Sequence, residues 1–311
     1  MNTTTTWRPA LVEPAGAGTD ASPRGLLEYL AGTDVAGLLT REKAVVFRGF
    51  GVAVDTSYET VADALLTGRL AYVHGNSPRT KVGRNVYTST EYPSEYEISM
   101  HNEMSYARSW PTRLLFHCDV APATGGATPV VDGQLWLESL DAEVRDAFAG
   151  GVRYTQNLHD GIGFGKSWQA TFETQDRDEV EAFLAGAGAE WQWRGDGSLW
   201  ISQLRTGTLE HPVTGTTVWF NQADQWHPAG LGEDAAALAA VVPEDELPQN
   251  VTFADGSPIP DAYIRHIQET GMRLAVDVDW QQGDLLLVDN IAAAHGRRAY
   301  TGDRRILVAM S

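Results

Sequence analysis

Hydrophobic residues occur along the chain in short runs whose spacing predicts the local structure. Near the start, GLLEYLAGTDVAGLLT (25–40) carries leucine and valine at helical spacing, and KAVVFRGFG (43–51) is typical of a buried strand ended by glycines. Further along, LLFHCDV (114–120) indicates a core strand, and the glycine pair in PATGGATP predicts a tight turn after it. The chain therefore opens with helix and strand and continues with paired strands.

Later segments repeat this mixture of amphipathic helices and short strands. Helical spacing occurs at 58–70, 134–150, 180–185, 234–242 and 261–270. Strand patterns occur at 151–157, in the tryptophan-rich stretch up to 200, at 216–221, at 273–280 and in the LLLV run after a Gly-Asp turn, with two more strands at the end. This predicts a mainly β fold with helical additions, of the sandwich or jelly-roll kind.

The chain length and composition favour one domain. Its 311 residues are 43% hydrophobic, which is enough for one large core. Residues 1–22 are rich in threonine, alanine, glycine and proline, so we expect a flexible N-terminal arm with few core contacts. Residues 23–311 then form the domain, and the region of about 150–210 is interpreted as an insertion that carries some specificity.

Charge and cysteine content exclude several classes of function. There are 41 acidic residues against 23 Lys and Arg, a net charge of −18, which disfavours nucleic acid and anionic membranes as partners. No apolar run is long enough to span a bilayer and the N-terminus lacks signal-peptide features, so we expect a cytoplasmic protein. Cys118 is the only cysteine, so a metal site must use histidine and carboxylate ligands.

The tripeptide HNE at 101–103 is the first candidate metal motif. Residues i and i+2 of a strand point to the same face, so His101 and Glu103 can reach one ion while Asn102 turns away. His295, which follows a buried strand, would complete a two-histidine, one-carboxylate triad. That triad leaves coordination positions open and is diagnostic of non-haem Fe(II) oxygenases.

Other histidines compete for this role. An H-x-E tripeptide also arises often by chance, so the motif alone does not establish a metal site. His117, His211 and His227 lie in or beside apolar or aromatic segments. Each of them is open to two interpretations, a hydrogen-bonded core residue or a contact to substrate.

The C-terminal arginines provide the second half of the argument. A dicarboxylate co-substrate that chelates iron at one end needs a cation for its far carboxylate, and the planar guanidinium fork suits that role. The turn at 301–303 would carry Arg304 or Arg305 back beside His295, and Thr128 could supply a second polar contact. The alternative is that these arginines form a solvated basic patch on an acidic protein.

Three segments together resemble a known family. They are HNEMSYARSWPTRLLFHCDVAPATGGATPVVDG, WFNQADQWH and LLVDNIAAAHGRRAYTGDRRILVAM, and they closely resemble the taurine-dioxygenase-like (TauD/TfdA) 2-oxoglutarate oxygenases. The nearest branch is that of the syringomycin-type amino-acid hydroxylases. The resemblance extends from KAVVFRGFG to the last residue, and it implies a distorted double-stranded β-helix, a cupin-like jelly roll.

The resemblance also implies roles for individual residues. It places the iron ligands at His101, Glu103 and His295, and a 2-oxoglutarate contact at Thr128. The co-substrate arginine falls on Arg304 or Arg305 depending on the family member that is aligned; strand alternation lets only one face the iron, and Asp303-Arg304 favours the first.

Two departures from the taurine enzyme bear on the substrate. That enzyme has Asp where this chain has Glu103, and it places a second arginine four residues after the first, where this chain has Val308 or Ala309. A sulfonate substrate is therefore disfavoured.

The implied reaction consumes Fe(II)-bound 2-oxoglutarate and O2, releases succinate and CO2, and hydroxylates an unactivated C–H bond. The implied substrate is an amino acid or an amino-acid-derived small molecule, free or tethered to a carrier protein, in natural-product biosynthesis. Candidate substrate contacts are Asn221, Asn102, Tyr106 and Arg297. The competing hypothesis is a metal-dependent, cupin-like isomerase or hydrolase without oxygen chemistry, which would need no 2-oxoglutarate arginine.

Overall fold

The computed structural model describes residues 7–70, 80–89, 92–232, 237 and 239–311 of the chain. The helices are α1 (Pro14–Ala17), α2 (Pro23–Ala31), α3 (Val35–Glu42), α4 (Tyr58–Leu65), α5 (Gly133–Ser139), α6 (Ala142–Phe148), α7 (Trp168–Phe172), α8 (Arg177–Ala187), α9 (Ala223–Trp226) and α10 (Asp261–Leu274). Short 3₁₀ turns occur at Pro228–Gly230 and Glu244–Glu246. None of the described helices is both long enough and apolar enough to cross a membrane.

The strands of the first half are β1 (Ala10–Val12), β2 (Ala44–Phe47), β3 (Lys81–Gly83), β4 (Val86–Thr88), β5 (Ile98–His101), β6 (Arg113–Val120), β7 (Thr124–Gly125), β8 (Thr128–Asp132) and β9 (Val152–Leu158). Those of the second half are β10 (Glu190–Trp193), β11 (Leu199–Arg205), β12 (Thr208–Glu210), β13 (Thr217–Trp219), β14 (Gln249–Phe253), β15 (Val276–Val278), β16 (Leu285–Asp289), β17 (Ala293–Arg297), β18 (Tyr300–Thr301) and β19 (Arg305–Met310).

Two sheets pack face to face and form the jelly roll. The larger has the order β1-β2-β16-β6-β19-β4-β3 and the smaller the order β15-β8-β17-β5. Side chains alternate along their strands, so Leu286 and Val288 face the smaller sheet while Leu285 and Leu287 pack under α2, α3 and α4. The outer face of the smaller sheet is covered by α5, α6, α9 and α10. This arrangement confirms the predicted mainly β, double-stranded β-helix fold.

Several predicted helices divide where the sequence contains capping residues. The segment 25–40 forms α2 and α3, because Gly32 ends the first and the Asp34 carboxylate accepts the Gly37 amide at the start of the second. The segment 134–150 likewise forms α5 and α6. The predicted helix at 234–242 lies partly outside the described residues.

The segment predicted to be a flexible arm differs from that prediction where it is described. Ala10–Val12 pairs in parallel with β2 and adds an edge strand to the larger sheet. Ala10 and Val12 pack against the core beneath the helices. Backbone pairing fixes this stretch, a contact that its composition does not reveal.

A third sheet lies beside the jelly roll. Its order is β10-β11-β9-β14, so most of it comes from residues 150–210, and β14 joins from further along the chain. It has its own hydrophobic cluster, which includes Trp168, Phe172 and Leu199. The interpretation of 150–210 as an insertion stays a prediction. In the structure this segment supplies three of the four strands of the third sheet.

Candidate metal and co-substrate site

Two neighbouring strands of the smaller sheet bring two histidines together. His101 is the last residue of β5, and His295 lies opposite it in β17. Their ring centroids are 4.3 Å apart, and the His295 ring also lies against Phe116 of the larger sheet at 5.0 Å. The two imidazoles therefore point into the space between the sheets, at one end of the jelly roll.

Glu103 reaches the same point from a turn. The sequence suggested a strand through 103, but β5 ends at His101 and Glu103 lies in the turn that follows. The Asn290 side chain holds this turn, because it accepts from the Glu103 amide at 2.7 Å and donates to the Glu103 carbonyl at 3.0 Å. Two hydrogen bonds to one residue's backbone fix the direction in which the carboxylate leaves the chain.

The three side chains form a site that fits Fe(II). One potential ligand atom from each of His101, Glu103 and His295 lies within 4.8 Å of the others, and all three residues are buried. Two imidazole nitrogens and one carboxylate oxygen are the donor set of the facial triad. The arrangement is the one predicted from the sequence, and its chemistry suits Fe(II).

A backbone contact orients the first histidine. His101 Nδ1 lies 3.0 Å from the Ser99 carbonyl oxygen. A carbonyl can only accept, so this hydrogen bond requires the proton on Nδ1 and leaves Nε2 with its lone pair for a metal. The tautomer that a ligand needs is thus favoured by the backbone two residues earlier.

A cavity opens beside the triad. It has about 370 Å³ of empty space, its open mouth included. Its walls are formed by Ser89, Ile98, His101, Phe116, Thr128, His295, Gly296, Arg297, Arg304 and Ile306. The predicted 2-oxoglutarate residues Thr128 and Arg304 therefore share one cavity with two of the predicted metal ligands.

Arg304 lies in this cavity, largely buried. Its Nε donates to the Gly126 carbonyl at 3.0 Å and its Nη1 to the Ser89 hydroxyl at 3.3 Å. Burial, together with repulsion from Arg297, lowers the pKa of Arg304 to about 10. A desolvated guanidinium whose partners are neutral is suited to bind an anion.

Arg305 lies on the opposite side of the strand. Its Nη1 forms a half-exposed ion pair with Asp119 at 2.9 Å. Thr128 is buried, lines the cavity and accepts a hydrogen bond from the Trp280 indole at 3.1 Å. Of the two arginines left open by the sequence, only Arg304 faces the cavity.

Of the four candidate substrate contacts, one lines the cavity and three are buried elsewhere in the protein. Arg297 lines the cavity. Asn221 is fully buried, and its amide donates to the Gly207 carbonyl and accepts from the Ala223 amide. Asn102 is also fully buried and donates to the Asn290 and Ala293 carbonyls. Tyr106 packs against Trp226 in a core cluster. Of the four, the structure places Arg297 alone in the cavity wall.

The competing histidines lie away from the triad. His117 Nε2 is 3.1 Å from the Val52 carbonyl oxygen, and burial lowers the pKa of the His117 imidazole. His211 Nε2 lies 3.0 Å from Asp289 Oδ2. The Nδ1 of His227 accepts a hydrogen bond from the Ala229 amide at the start of a 3₁₀ turn. These contacts agree with the interpretation of His117 and His211 as hydrogen-bonded core residues, whereas His227 is half-buried and caps a turn.

Sequence reasoning missed the residues that position the triad. Asn290 is the clearest example, and its signal was a polar Asp-Asn pair directly after the buried LLLV run. Ser99 and Phe116 also escaped notice, because a backbone carbonyl and a packing aromatic ring carry no chemical signature in sequence.

Asp224 is a buried carboxyl group behind β5. It is 1% exposed, and burial raises the pKa of Asp224 from 3.8 to about 6. The neighbouring Ser99 and Gln268 side chains oppose part of that rise. Between these two pH values the folded state binds more protons than the unfolded chain, so the stability contributed by Asp224 is lost as the pH rises through about 6.

We therefore expect Asp224→Asn to remove a pH-dependent component of stability. The free energy of unfolding of the native protein, minus that of the variant, should fall by about 1 kcal/mol between pH ~5 and pH ~7.5. Urea unfolding of both metal-free proteins at the two pH values measures this difference. A difference that stays constant with pH would show that Asp224 titrates normally.

The fold and site together define a mononuclear non-haem iron oxygenase of the jelly-roll class. The chain belongs to the family described as Taurine catabolism dioxygenase TauD, TfdA family, whose model matches residues 13–310. It is therefore an Fe(II)- and 2-oxoglutarate-dependent dioxygenase, with O2 as the second co-substrate.

Two relatives cover most of the chain. Dapdiamide synthesis protein DdaC of Enterobacter agglomerans is 34% identical over 91% of this chain and 86% of its own length. A clavaminate synthase-like protein of Arabidopsis thaliana is 30% identical over 88% of this chain and 82% of its own length. Each match thus spans more than four fifths of both proteins.

Solved structures show the same fold. The crystal structure of PvcB from Pseudomonas aeruginosa matches 98% of this chain and 86% of that chain, with a TM-score of 0.55 and 14% sequence identity. At this identity the likeness establishes the architecture, and the chemistry of the site rests on the family and on the residues themselves.

Proposed function

We propose that His101, Glu103 and His295 hold the Fe(II) ion, that Arg304 and Thr128 hold the far carboxylate of 2-oxoglutarate, and that the enzyme hydroxylates an unactivated C–H bond. We further propose that its substrate is an amino acid or an amino-acid-derived small molecule, free or tethered to a carrier protein, in natural-product biosynthesis.

The observation that carries the co-substrate assignment is the pair of guanidinium groups in the cavity wall. Within the part of the chain that the structure describes, the hydrogen bonds of Arg297 and Arg304 go to backbone carbonyls and one hydroxyl, and neither arginine forms an ion pair. Buried cations whose described partners are all neutral are stabilised when an anion binds beside them. A dicarboxylate with one end at the triad and the other at Arg304 supplies it.

The residues divide the work of such a reaction between them. Iron, when bound, supplies the activation of O2 and an anchor for the keto-acid end of the co-substrate. Arg304 and Thr128 orient the far carboxylate, and Phe116 and Ile306 make part of the wall apolar, so that water is excluded there. Asn290 and the Ser99 carbonyl keep Glu103 and His101 aligned.

Two observations support the substrate class. A relative named for dapdiamide synthesis aligns over most of the chain, which favours a role in the biosynthesis of a small natural product. The residue four positions after Arg304 is Val308, which is fully buried between the two sheets. The position that carries the second arginine of the taurine enzyme is therefore apolar here, which disfavours a sulfonate substrate.

The direct test is substrate-dependent formation of succinate. We expect anaerobically purified protein to bind one Fe(II) per chain and, with 2-oxoglutarate and O2, to release succinate when the correct amino acid or its carrier-bound form is present. Mass spectrometry of the product should show the addition of one oxygen atom. If a wide substrate panel gives no succinate above a metal-free control but an isomerised or hydrolysed product accumulates, the enzyme uses its metal without oxygen chemistry.

A further inference from the structure

The segment of residues 92–97, named here the tyrosine loop, lies directly before β5 and is held by a single guanidinium. Arg297 donates through Nη1 to the Tyr92 carbonyl at 2.8 Å, and through Nη2 to the Pro93 and Tyr96 carbonyls at 2.6 and 2.8 Å. Three backbone oxygens of one short loop thus converge on one side chain. Glu95 of the loop adds an electrostatic attraction to Arg297 but no hydrogen bond among those described.

Other bonds between the loop and the segment after β17 are fewer. The Tyr300 amide donates to the Ser94 carbonyl at 2.9 Å, and Arg298 forms an exposed ion pair with Glu97 at 3.5 Å. The rings of Tyr92 and Tyr96 lie 5.9 Å apart and are about half exposed. Arg297 is therefore the main link between the tyrosine loop and the strand that carries His295.

The same guanidinium belongs to the co-substrate cavity. Arg297 is 4% exposed, lines the cavity with Arg304, and raises the energy of the charged Arg304 by repulsion. Its backbone pairs with Ile98, the first residue of β5 and another part of the cavity wall. One side chain thus contacts the loop on one side and the anion-binding space on the other.

We propose that Arg297 is a positioning residue that couples occupation of the 2-oxoglutarate cavity to the order of the tyrosine loop. This inference rests on the proposed function, since it takes the cavity to be the co-substrate site. A dianion bound at Arg304 screens the repulsion between the two guanidinium groups and holds Arg297 in place against the loop carbonyls. Coupling of this kind is reciprocal, so a loop that Arg297 orders also favours binding of the dianion.

Hydrogen exchange of the native protein tests the coupling without any mutation. The probe is N-oxalylglycine together with Mn(II). N-oxalylglycine is a non-reactive dicarboxylate, and the enzyme does not catalyse its reaction when Mn(II) replaces iron. We expect bound probe to slow exchange of the amides in residues 94–98 by about tenfold, while the exposed turn at 255–257 stays unchanged. Unchanged exchange at 94–98 with the probe demonstrably bound would overturn the inference and leave the proposed function standing. Failure of the native protein to bind the probe at all would refute both.

Variants separate positioning from general structural support. Arg297→Met should speed exchange at 94–98, abolish the response to the probe and weaken probe binding by about tenfold. Arg297→Lys keeps the charge but lacks the fork that reaches three carbonyls, so it should rescue probe affinity more than loop protection. Arg298→Met, which removes the neighbouring ion pairs to Glu97 and Asp277, is the matched control and should keep the probe response. Equal loss of the response in the Arg298 and Arg297 variants would overturn the inference.

Discussion

Glu103→Ala is expected to lose Fe(II) affinity by more than about 100-fold and to form succinate at the level of a metal-free control. Two histidines alone hold iron weakly, and even residues that merely support metal ligands commonly change metal affinity by about 10- to 100-fold. The turn should survive the change, because Asn290 binds the backbone of residue 103 and not its side chain. Competition with a chromogenic chelator measures the affinity.

Two further variants make the result specific. Glu103→Asp retains a carboxylate on a shorter side chain and should recover part of both iron affinity and succinate formation. Glu190→Ala removes an exposed acid of the third sheet and should match the native protein. Full activity in Glu103→Ala would show that the carboxylate ligand lies elsewhere in the chain.

Arg304→Met is expected to raise the concentration of 2-oxoglutarate needed for half-maximal rate by about 30-fold or more, with iron affinity nearly unchanged. Loss of one partner from a buried, charge-assisted pair costs on the order of 2–5 kcal/mol, and each ~1.4 kcal/mol is tenfold. Since Arg304 is desolvated and its partners within the described chain are neutral, the variant should unfold at the same temperature as the native protein or higher. Succinate formation against co-substrate concentration measures the first effect.

Arg305→Met is the matched control for this measurement. Arg305 carries the same charge one residue later, but it forms a half-exposed ion pair with Asp119, which contributes at most about 1 kcal/mol. We expect a change of less than about fivefold in the 2-oxoglutarate requirement. The opposite ranking of the two variants would assign the co-substrate to Arg305.

The cluster of His101, Glu103 and His295 could be predicted in part, because the spacing of its first two members follows a local rule. The i, i+2 spacing of His101 and Glu103 limits how far apart the two side chains can lie, even though the strand ends between them. His295 could be proposed because it follows a buried strand, but its pairing with His101 is a tertiary contact that no local pattern contains. That contact is what places the two ligands opposite each other on neighbouring strands.

The choice between Arg304 and Arg305 shows where strand periodicity reaches its limit. Because side chains alternate along a strand, only one of the two arginines can face the cavity. A register shift lies between Arg305 and Ile306, so the alternation within β19 does not by itself tell which arginine that is. The contacts decide, because Arg304 reaches Gly126 while Arg305 reaches Asp119.

Substrate contacts were harder to predict because the residue type does not reveal whether a polar side chain already has hydrogen-bond partners within the protein. Asn221 and Asn102 are attractive in sequence as amides near the motifs. In the structure both donate to backbone carbonyls and are fully buried. The edge strand at 10–12 escaped prediction for a related reason, since its pairing with β2 depends on backbone groups that every sequence has.

The position of the two histidines on neighbouring strands has a consequence for how the enzyme matures. His101 and His295 lie far apart in sequence and come together only when β17 pairs with β5. With the proposed ligands, a nascent chain lacks a complete ligand set until β17 has been made, so we expect the metal to bind late. A bound ion would link residues that are far apart in sequence and so close a very long loop. It would also raise the free energy of unfolding by an amount that grows with the logarithm of the free metal concentration.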